Sequence, residues 1–277
     1  MNGLIKSDYR KFFKDKLFLV VCILAIIFAV TTPLLYAGLL SLAGDIDPMT
    51  EEMLSSYMSA KGQFFGGFSF GNNLGLIAPL LIGIILYKDF SFGTIRNKII
   101  SGYSRTSIFL SLFTVCATML FGIVLAHALL TIVISLPFFP YQSTPFEMAD
   151  FWYLMDSLLF ELLVYIFTAA FVSWLCVTRR NVGMVIVLYI AVVFGFSMIA
   201  GILQGVILVL SLEPDTEKTV RILDFFQRVN IFNSSATIGI GTTYDMEDVL
   251  YYVLPPLFGT GCLLGHGMWK FGRKDLK

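Results

Sequence analysis

Six apolar runs, separated by short polar stretches, fill most of this 277-residue chain and limit its possible folds more than any single motif does. Nearly all of them reach the roughly 20 apolar residues that an α-helix needs to cross a bilayer. Charged residues make up only 14% of the chain, whereas soluble domains carry about 25%. We therefore predict an all-α integral membrane protein, a single transmembrane domain over residues 1–277 with six spans at about residues 17–42, 73–87, 106–136, 151–177, 182–212 and 249–269.

Proline and glycine modify two of these spans. The second is short, and Pro79 and Gly83 predict a bend in it. It could begin earlier, near Phe64, if the Gly/Phe-rich patch at 64–73 is embedded in the membrane. The Pro255-Pro256 pair predicts a local break in the sixth span.

The charges predict an orientation. If the N-terminus is cytoplasmic, 15 of the 19 Lys and Arg residues lie on the inner side, together with only four acids. The inner side then sums to +11 and the outer side to −9. Because excess Lys and Arg mark cytoplasmic loops, both termini are predicted to be cytoplasmic. All three tryptophans fall near predicted span ends, as expected for residues at the membrane interface, namely Trp152, Trp174 and Trp269.

The basic stretch 88–105, between the second and third spans, has a helical pattern. Its apolar residues recur at helical spacing, whereas Arg96 and Lys98 point elsewhere. Ser91 is predicted to cap this helix, Gly102 to end it and Ser104 to cap the next one. The pattern predicts a short amphipathic helix on the cytoplasmic surface, with an apolar face made by Phe92, Ile95, Ile99 and Tyr103.

The same stretch resembles the first cytoplasmic loop of ABC type-2 transporter permeases. The string from Asp89 to Arg96, DFSFGTIR, carries the acidic residue and the Gly-Thr pair of that loop, and Ser104-Arg105 closes it. One departure is Leu112, where the family often has a lysine. The resemblance implies a coupling helix that docks on an ATPase subunit through Asp89, Phe92, Gly93, Thr94, Ile95, Arg96, Ile99, Ser104 and Arg105.

The resemblance also implies an assembly. Two ABC ATPase subunits would bind ATP and Mg, while this chain binds no cofactor directly. A second permease copy or a paralogue would complete a dimer. The expected function is export of a lipophilic, peptidic or antimicrobial compound across a bacterial plasma membrane. In the family, short helices that dip into the outer leaflet precede the last span. Residues 213–248 fit that description, but an ordinary surface helix fits them equally well.

Polar groups within the spans have two interpretations. Ionisable groups in a bilayer normally face protein or water, so Glu161, Asp156 and Gln204 could line a translocation path. Alternatively, Asp156 lies among the lipid headgroups, because the fourth span begins late. Gln204 and His127 are each expected to make an interhelical hydrogen bond. The small-xxx-small pairs Gly201/Gly205 and Gly261/Gly265 permit close helix contact.

Motifs for independent catalysis are missing from the sequence. The chain contains no GxxxxGK[ST], HExxH or GxSG, so it cannot bind ATP through a P-loop or zinc through a metalloprotease motif. Its four cysteines lie inside apolar runs without metal-ligand spacing, and no metal site is expected. We therefore expect a transporter subunit rather than an enzyme. The alternatives are an intramembrane enzyme and a membrane anchor or sensor partner of another complex.

Overall fold

The computed structural model describes residues 2–43, 58–71, 73–91, 93–142, 145–179, 181–212 and 216–273. In these segments the backbone forms α-helices and no strand. The helices are α1 (Asn2–Lys14), α2 (Lys16–Ala43), α3 (Ala60–Gly66), α4 (Asn73–Ser91), α5 (Thr94–Ile100), α6 (Arg105–Ser135), α7 (Met148–Thr178), α8 (Val182–Leu210), α9 (Glu217–Arg228), α10 (Ile231–Thr237) and α11 (Met246–Gly272).

Five of these helices are long and apolar enough to cross a membrane, namely α2, α6, α7, α8 and α11. Helix α4 passes the same test only together with α5, to which it is joined at a 53° bend. The chain is thus a multi-pass helical membrane protein, and the predicted all-α class is confirmed. Helix α11 continues through Pro255 and Pro256, so the predicted interruption of the last span is wrong.

The two ends of the bundle differ in charge. At one end, called the basic end below, α1 and α5 meet the start of α6 and the C-terminal ends of α4, α7 and α11. The opposite end carries α3, α9 and the loop between α6 and α7. Helix α7 lies centrally and packs against α11, α6 and α4.

Two short helices reach the interior from the opposite end. The turn after α3 places Phe68 and Phe70 in the core, where Tyr165 of α7 donates a hydrogen bond to the Phe68 carbonyl at 2.5 Å. In α10, Phe232 packs against Phe70 and Phe196, with ring centroids 5.5 and 6.0 Å apart. Phe196 lies midway along α8, so α10 sits at the level of the middle of the bundle. Helix α9, by contrast, buries none of its residues.

A glycine makes this arrangement possible. Gly239, just after α10, has a φ of +84°, in the left-handed region that favours glycine. A Cβ at this position would lie 2.1 Å from the Phe65 ring. No larger residue fits without displacing α3 or the chain that follows α10.

Interhelical hydrogen bonds involve both polar residues for which they were predicted. The Nδ1 atom of His127 lies 2.9 Å from the Ala25 carbonyl oxygen of α2. Gln204 of α8 is hydrogen-bonded to Gln227 of α9. Both predictions are confirmed. The paired glycines of α8 and α11 behave differently, because a Cβ at Gly201, Gly205, Gly261 or Gly265 would meet no atom within 4 Å.

Candidate docking surface at the basic end

Two glycines and a serine set the position of α5. Gly93 caps its N-terminus with a φ of +70°, a conformation that glycine adopts without steric cost. Gly102, with a φ of +89°, follows its C-terminus. Ser104 caps α6 by accepting a hydrogen bond from the Ser107 amide at 3.2 Å. The predicted roles of Gly102 and Ser104 are confirmed. Ser91 was predicted to be the N-cap of α5, but it belongs to α4, and Gly93 occupies the N-cap position instead.

Among the described residues of the apolar face predicted for this stretch, Tyr103, which follows α5, is exposed, whereas the two isoleucines of α5 are not. Ile95 is only 2% exposed and packs into the core of its own chain, and Ile99 is half-buried. Arg96 and Asn97 are exposed, and Ile100 is 74% exposed. A partner approaching α5 would therefore meet Arg96, Asn97 and Ile100, which we call the α5 outer face.

A cluster of ion pairs holds the other side of α5 against α1. The Lys98 ammonium lies 2.5 Å from Asp8 Oδ1 and 3.6 Å from Asp89 Oδ2. Ser111 of α6 donates a hydrogen bond to the second Asp8 oxygen at 2.7 Å. Lys11 of α1 forms an ion pair with Asp89. Four helices (α1, α4, α5 and α6) thus meet around two buried carboxylates.

A second ion pair lies beside this cluster. Lys88 at the end of α4 approaches both carboxylate oxygens of Asp15, at 2.8 and 2.7 Å. Burial raises the pKa of Asp15, but hydrogen bonds from Lys88 and from the Leu17 amide outweigh it and hold the pKa below its usual value. Burial, followed by repulsion from Lys98, lowers the pKa of Lys11. The ion pairs of Lys88, Lys98 and Lys11 with their three aspartates are called the inner ion cluster below.

The remaining residues predicted for docking have different surroundings. Thr94 is half-buried at the start of α5. The Arg105 guanidinium donates hydrogen bonds to the carbonyls of Phe271 and Gly272, at 3.2 and 3.0 Å, which joins α6 to the C-terminus of α11. Phe92 lies outside the described residues. The structure therefore brings the described residues of this set to one end of the bundle, but only part of them faces outward.

The three residues predicted for a translocation path lie in different environments. Glu161 is 0% exposed, and neither of its carboxylate oxygens has a hydrogen-bond partner among the described residues. Asp156 and Gln204 are exposed. On this chain alone the three side chains do not share one surface.

A pocket of about 220 Å³ lies at the opposite end, between α9, α10 and α11. Arg228 sits in its wall and contacts carboxylate oxygens of Asp224 and Asp248, each at 2.7 Å. The charged side chains of Arg228, Asp224 and Asp248 in this pocket are thus already paired.

In the described segments, no group of three or more His, Cys, Asp and Glu side chains is arranged to hold a metal ion.

Sequence reasoning missed the inner ion cluster. Helical periodicity describes each helix separately, and the contacts of Lys98 depend on which helix covers it. One signal was available: Asp8 and Asp15 are the only acids in the otherwise basic N-terminal segment 1–16.

Comparison of the chain with protein-family models and with curated proteins found no match.

Proposed function

We propose that this chain is the permease subunit of an ATP-driven ABC exporter of the type-2 family, and that a separate ATPase subunit docks on the α5 outer face. The observation that carries the proposal is this face: a largely exposed isoleucine, Ile100, lies beside an exposed arginine, Arg96, on a helix tied to the bundle. An apolar anchor with an adjacent arginine is a common composition for the centre of a protein interface.

The inner ion cluster supports a role in transmitting force. A partner that displaces α5 would act on α1 through Lys98 and Asp8, and on α4 through Lys98 and Asp89. Arg105 joins the neighbouring start of α6 to α11. Movement at one short helix would therefore reach four others. Such a linkage is a coupling free energy between the docking surface and the membrane-spanning helices.

The energy source lies in the partner under this proposal. The chain has no P-loop motif, so ATP and Mg would bind to the ATPase subunits and not to this polypeptide. A second permease copy or a paralogue would face this one, with two ATPase subunits beneath the pair. Glu161, Asp156 and Gln204 remain the candidates for contact with a lipophilic or peptidic substrate.

Co-purification tests the docking surface. The tagged chain, expressed in its native host and purified in mild detergent, is expected to retain a soluble polypeptide that contains a GxxxxGK[ST] motif and hydrolyses ATP. The variants Ile100→Asp and Arg96→Glu should each reduce its recovery, with a loss of about tenfold or more for Ile100→Asp, because the partner would bury this apolar side chain.

Matched controls come from α9, at the opposite end. Ile222 and Arg221 are an exposed isoleucine and an exposed arginine, as in the α5 outer face. Ile222→Asp and Arg221→Glu should leave recovery of the ATPase unchanged. Equal recovery with all four variants would contradict docking on α5. Transport by the purified chain alone in liposomes would overturn the proposed function as a whole.

A further inference from the structure

Five aromatic and basic side chains form a continuous row where α7 and α11 end. Trp174 Nε1 donates a hydrogen bond to His266 Nδ1 at 2.7 Å. The His266 ring stacks on Trp269, with centroids 5.7 Å apart and an interplanar angle of 26°. Arg179 lies 5.7 Å from the centre of the Trp174 ring, and Arg273 lies 4.6 Å from that of Trp269. We call this row, Arg179-Trp174-His266-Trp269-Arg273, the Arg-Trp-His stack.

The two arginines of the stack lack anionic partners in the described part of the chain. Neither guanidinium forms an ion pair there, and the buried Nε of Arg179 makes no hydrogen bond. The aspartates that the structure describes at this end already pair with lysines, namely Asp8, Asp15 and Asp89. An arginine carries five N–H donors, and leaving a buried one unpaired is unfavourable. Arg179 is half-buried and Arg273 is exposed, so the other N–H groups of the two guanidiniums are the donors that an anion from outside the chain would meet.

The geometry favours a phosphate group. A planar guanidinium donates two parallel hydrogen bonds to phosphate, and stacking on an indole ring fixes its plane in advance. Because His266 Nδ1 accepts the indole hydrogen bond, the neutral ring carries its proton on Nε2, which is a further donor. His266 and Trp269 are exposed on the outside of the bundle, where a ligand can reach them.

The position of the stack identifies the source of that phosphate as a lipid. Tryptophans at span ends lie at headgroup level, and both indoles are within a few residues of the ends of α7 and α11. Along α11, Gly265 and Trp269 follow Phe258 by 7 and 11 residues, which are close to two and three helical turns. All three residues therefore project from nearly the same side of the helix. Phe258 is exposed, and no atom lies within 4 Å of a Cβ built at Gly265. An acyl chain could lie along this smooth apolar face.

We propose that the Arg-Trp-His stack binds the phosphate of an anionic phospholipid in the adjacent leaflet, with one acyl chain lying along α11 toward Phe258. Two guanidinium groups that have no carboxylate partner among the described residues favour a net-negative headgroup over a zwitterionic one. The proposal concerns a site away from the α5 outer face and does not depend on the transport function.

Tryptophan fluorescence tests this site in the full-length chain. The chain has three tryptophans, so Trp152→Phe leaves only the two of the stack as reporters. The purified variant, in mixed micelles, is titrated with phosphatidylglycerol or phosphatidylcholine that carries brominated acyl chains. We expect quenching by brominated phosphatidylglycerol at an about 25-fold lower mole fraction, because each of the two arginines contributes about fivefold. Soluble glycerophosphate should not compete, because it has no acyl chain.

Substitutions identify the residues responsible. In the same background, Arg179→Gln and Arg273→Gln should each weaken the preference for phosphatidylglycerol about fivefold. Arg179→Lys and Arg273→Lys keep the charge and should give intermediate values. Arg221→Gln, an exposed arginine of α9, should leave the preference unchanged.

Three results would overturn the proposal. One is equal quenching by the two brominated lipids in the parent variant, which needs no further substitution to interpret. Another is an unchanged preference when both arginines of the stack are replaced. The third is full competition by glycerophosphate at the concentrations that suffice for phosphatidylglycerol, which would identify a site for soluble phosphate esters.

Discussion

Lys98 is a nearly buried charge at the basic end. Its side chain is 10% exposed and lies between Asp8 and Asp89, which are 2% and 3% exposed. Removing such charges from water costs several kcal/mol for each ion, and the cost is offset only while every charge keeps its partner. The net contribution of the complete cluster to stability is therefore modest, but loss of one member is severe.

Replacing Lys98 by methionine should destabilise the protein by about 3 to 5 kcal/mol, because two buried carboxylates lose their shared cation. Unfolding monitored by circular dichroism during a denaturant titration in detergent measures the change. Arg96→Met, at an exposed position two residues away, is the control and should shift stability by no more than about 0.5 kcal/mol. Similar losses in the two variants would show that Lys98 is not held as the structure indicates.

Asp15 predicts a pH dependence. Its pKa is lower in the folded protein than in the unfolded chain, so its ion pair stabilises the fold above the pKa of a free aspartate, near 4. This stabilisation is lost as the pH falls through the folded-state pKa. Thermal unfolding in detergent between pH 7 and pH 3 should therefore show a smaller decline in Tm for Asp15→Asn than for the parent. Equal declines in Tm for Asp15→Asn and the parent would show that Asp15 does not contribute to the pH dependence of stability.

Lys98 also shows where sequence reasoning about residues stops. Helical spacing predicted that Lys98 points away from Ile95 and Ile99, but Lys98 follows Ile95 by three residues and both are buried on the inward side of α5, so this prediction is wrong. Whether that side faces water or another helix depends on α1, which lies about 90 residues earlier in the chain. Periodicity holds no information on such contacts. The burial of Ile95 and Lys98, and hence the identity of the α5 outer face, could not be derived from the stretch itself.

At the scale of elements, α9 and α10 are neighbours in sequence with opposite surroundings. Helix α9 has no buried residue, whereas α10 buries Phe232, Ser234 and Ser235 in the middle of the bundle. Asn230, between them, donates a hydrogen bond to the Phe196 carbonyl at 2.8 Å. Within the described residues 216–248, an exposed helix is thus followed by one that reaches inward.

Amide hydrogen exchange should distinguish the two helices. Amides of α9 are expected to exchange at least about tenfold faster than those of α10, because opening α9 exposes little buried surface. Phe232→Ala should accelerate exchange in α10 by creating a cavity among four aromatic rings. Phe226→Ala, at an exposed position of α9, is the control. Equal protection of the two helices would contradict the inward position of α10.

The long helices could be predicted from the sequence, whereas the short helices α3 and α10 could not. Each predicted span lies within a few residues of α2, α4, α6, α7, α8 or α11, since about 20 consecutive apolar residues leave few alternatives to a helix. Helices α3 and α10 have only seven residues each. Their position depends on aromatic contacts with distant residues and on the close approach at Gly239, neither of which produces a local pattern.

At the scale of the whole molecule, charge separates the two ends of the bundle. The sequence places 15 of 19 Lys and Arg residues in segments assigned to the inner side. In the structure, the α5 outer face and the Arg-Trp-His stack both belong to this basic end. A soluble ATPase and an anionic leaflet would be reached from the same side of the membrane. The orientation of the chain is therefore the assumption on which the proposed docking depends most directly.

Cysteine labelling in intact cells tests that orientation. In a variant without the four native cysteines, single cysteines are introduced at Ser101 beside α5 and at Thr219 in α9, both of which are exposed. A membrane-impermeant maleimide should label Thr219→Cys directly, but Ser101→Cys only after permeabilisation, because the positive end stays in the cytoplasm. Asn97→Cys and Lys218→Cys provide a second exposed pair. Labelling of Ser101→Cys in intact cells would place α5 outside, where no ATP-hydrolysing partner could act on it.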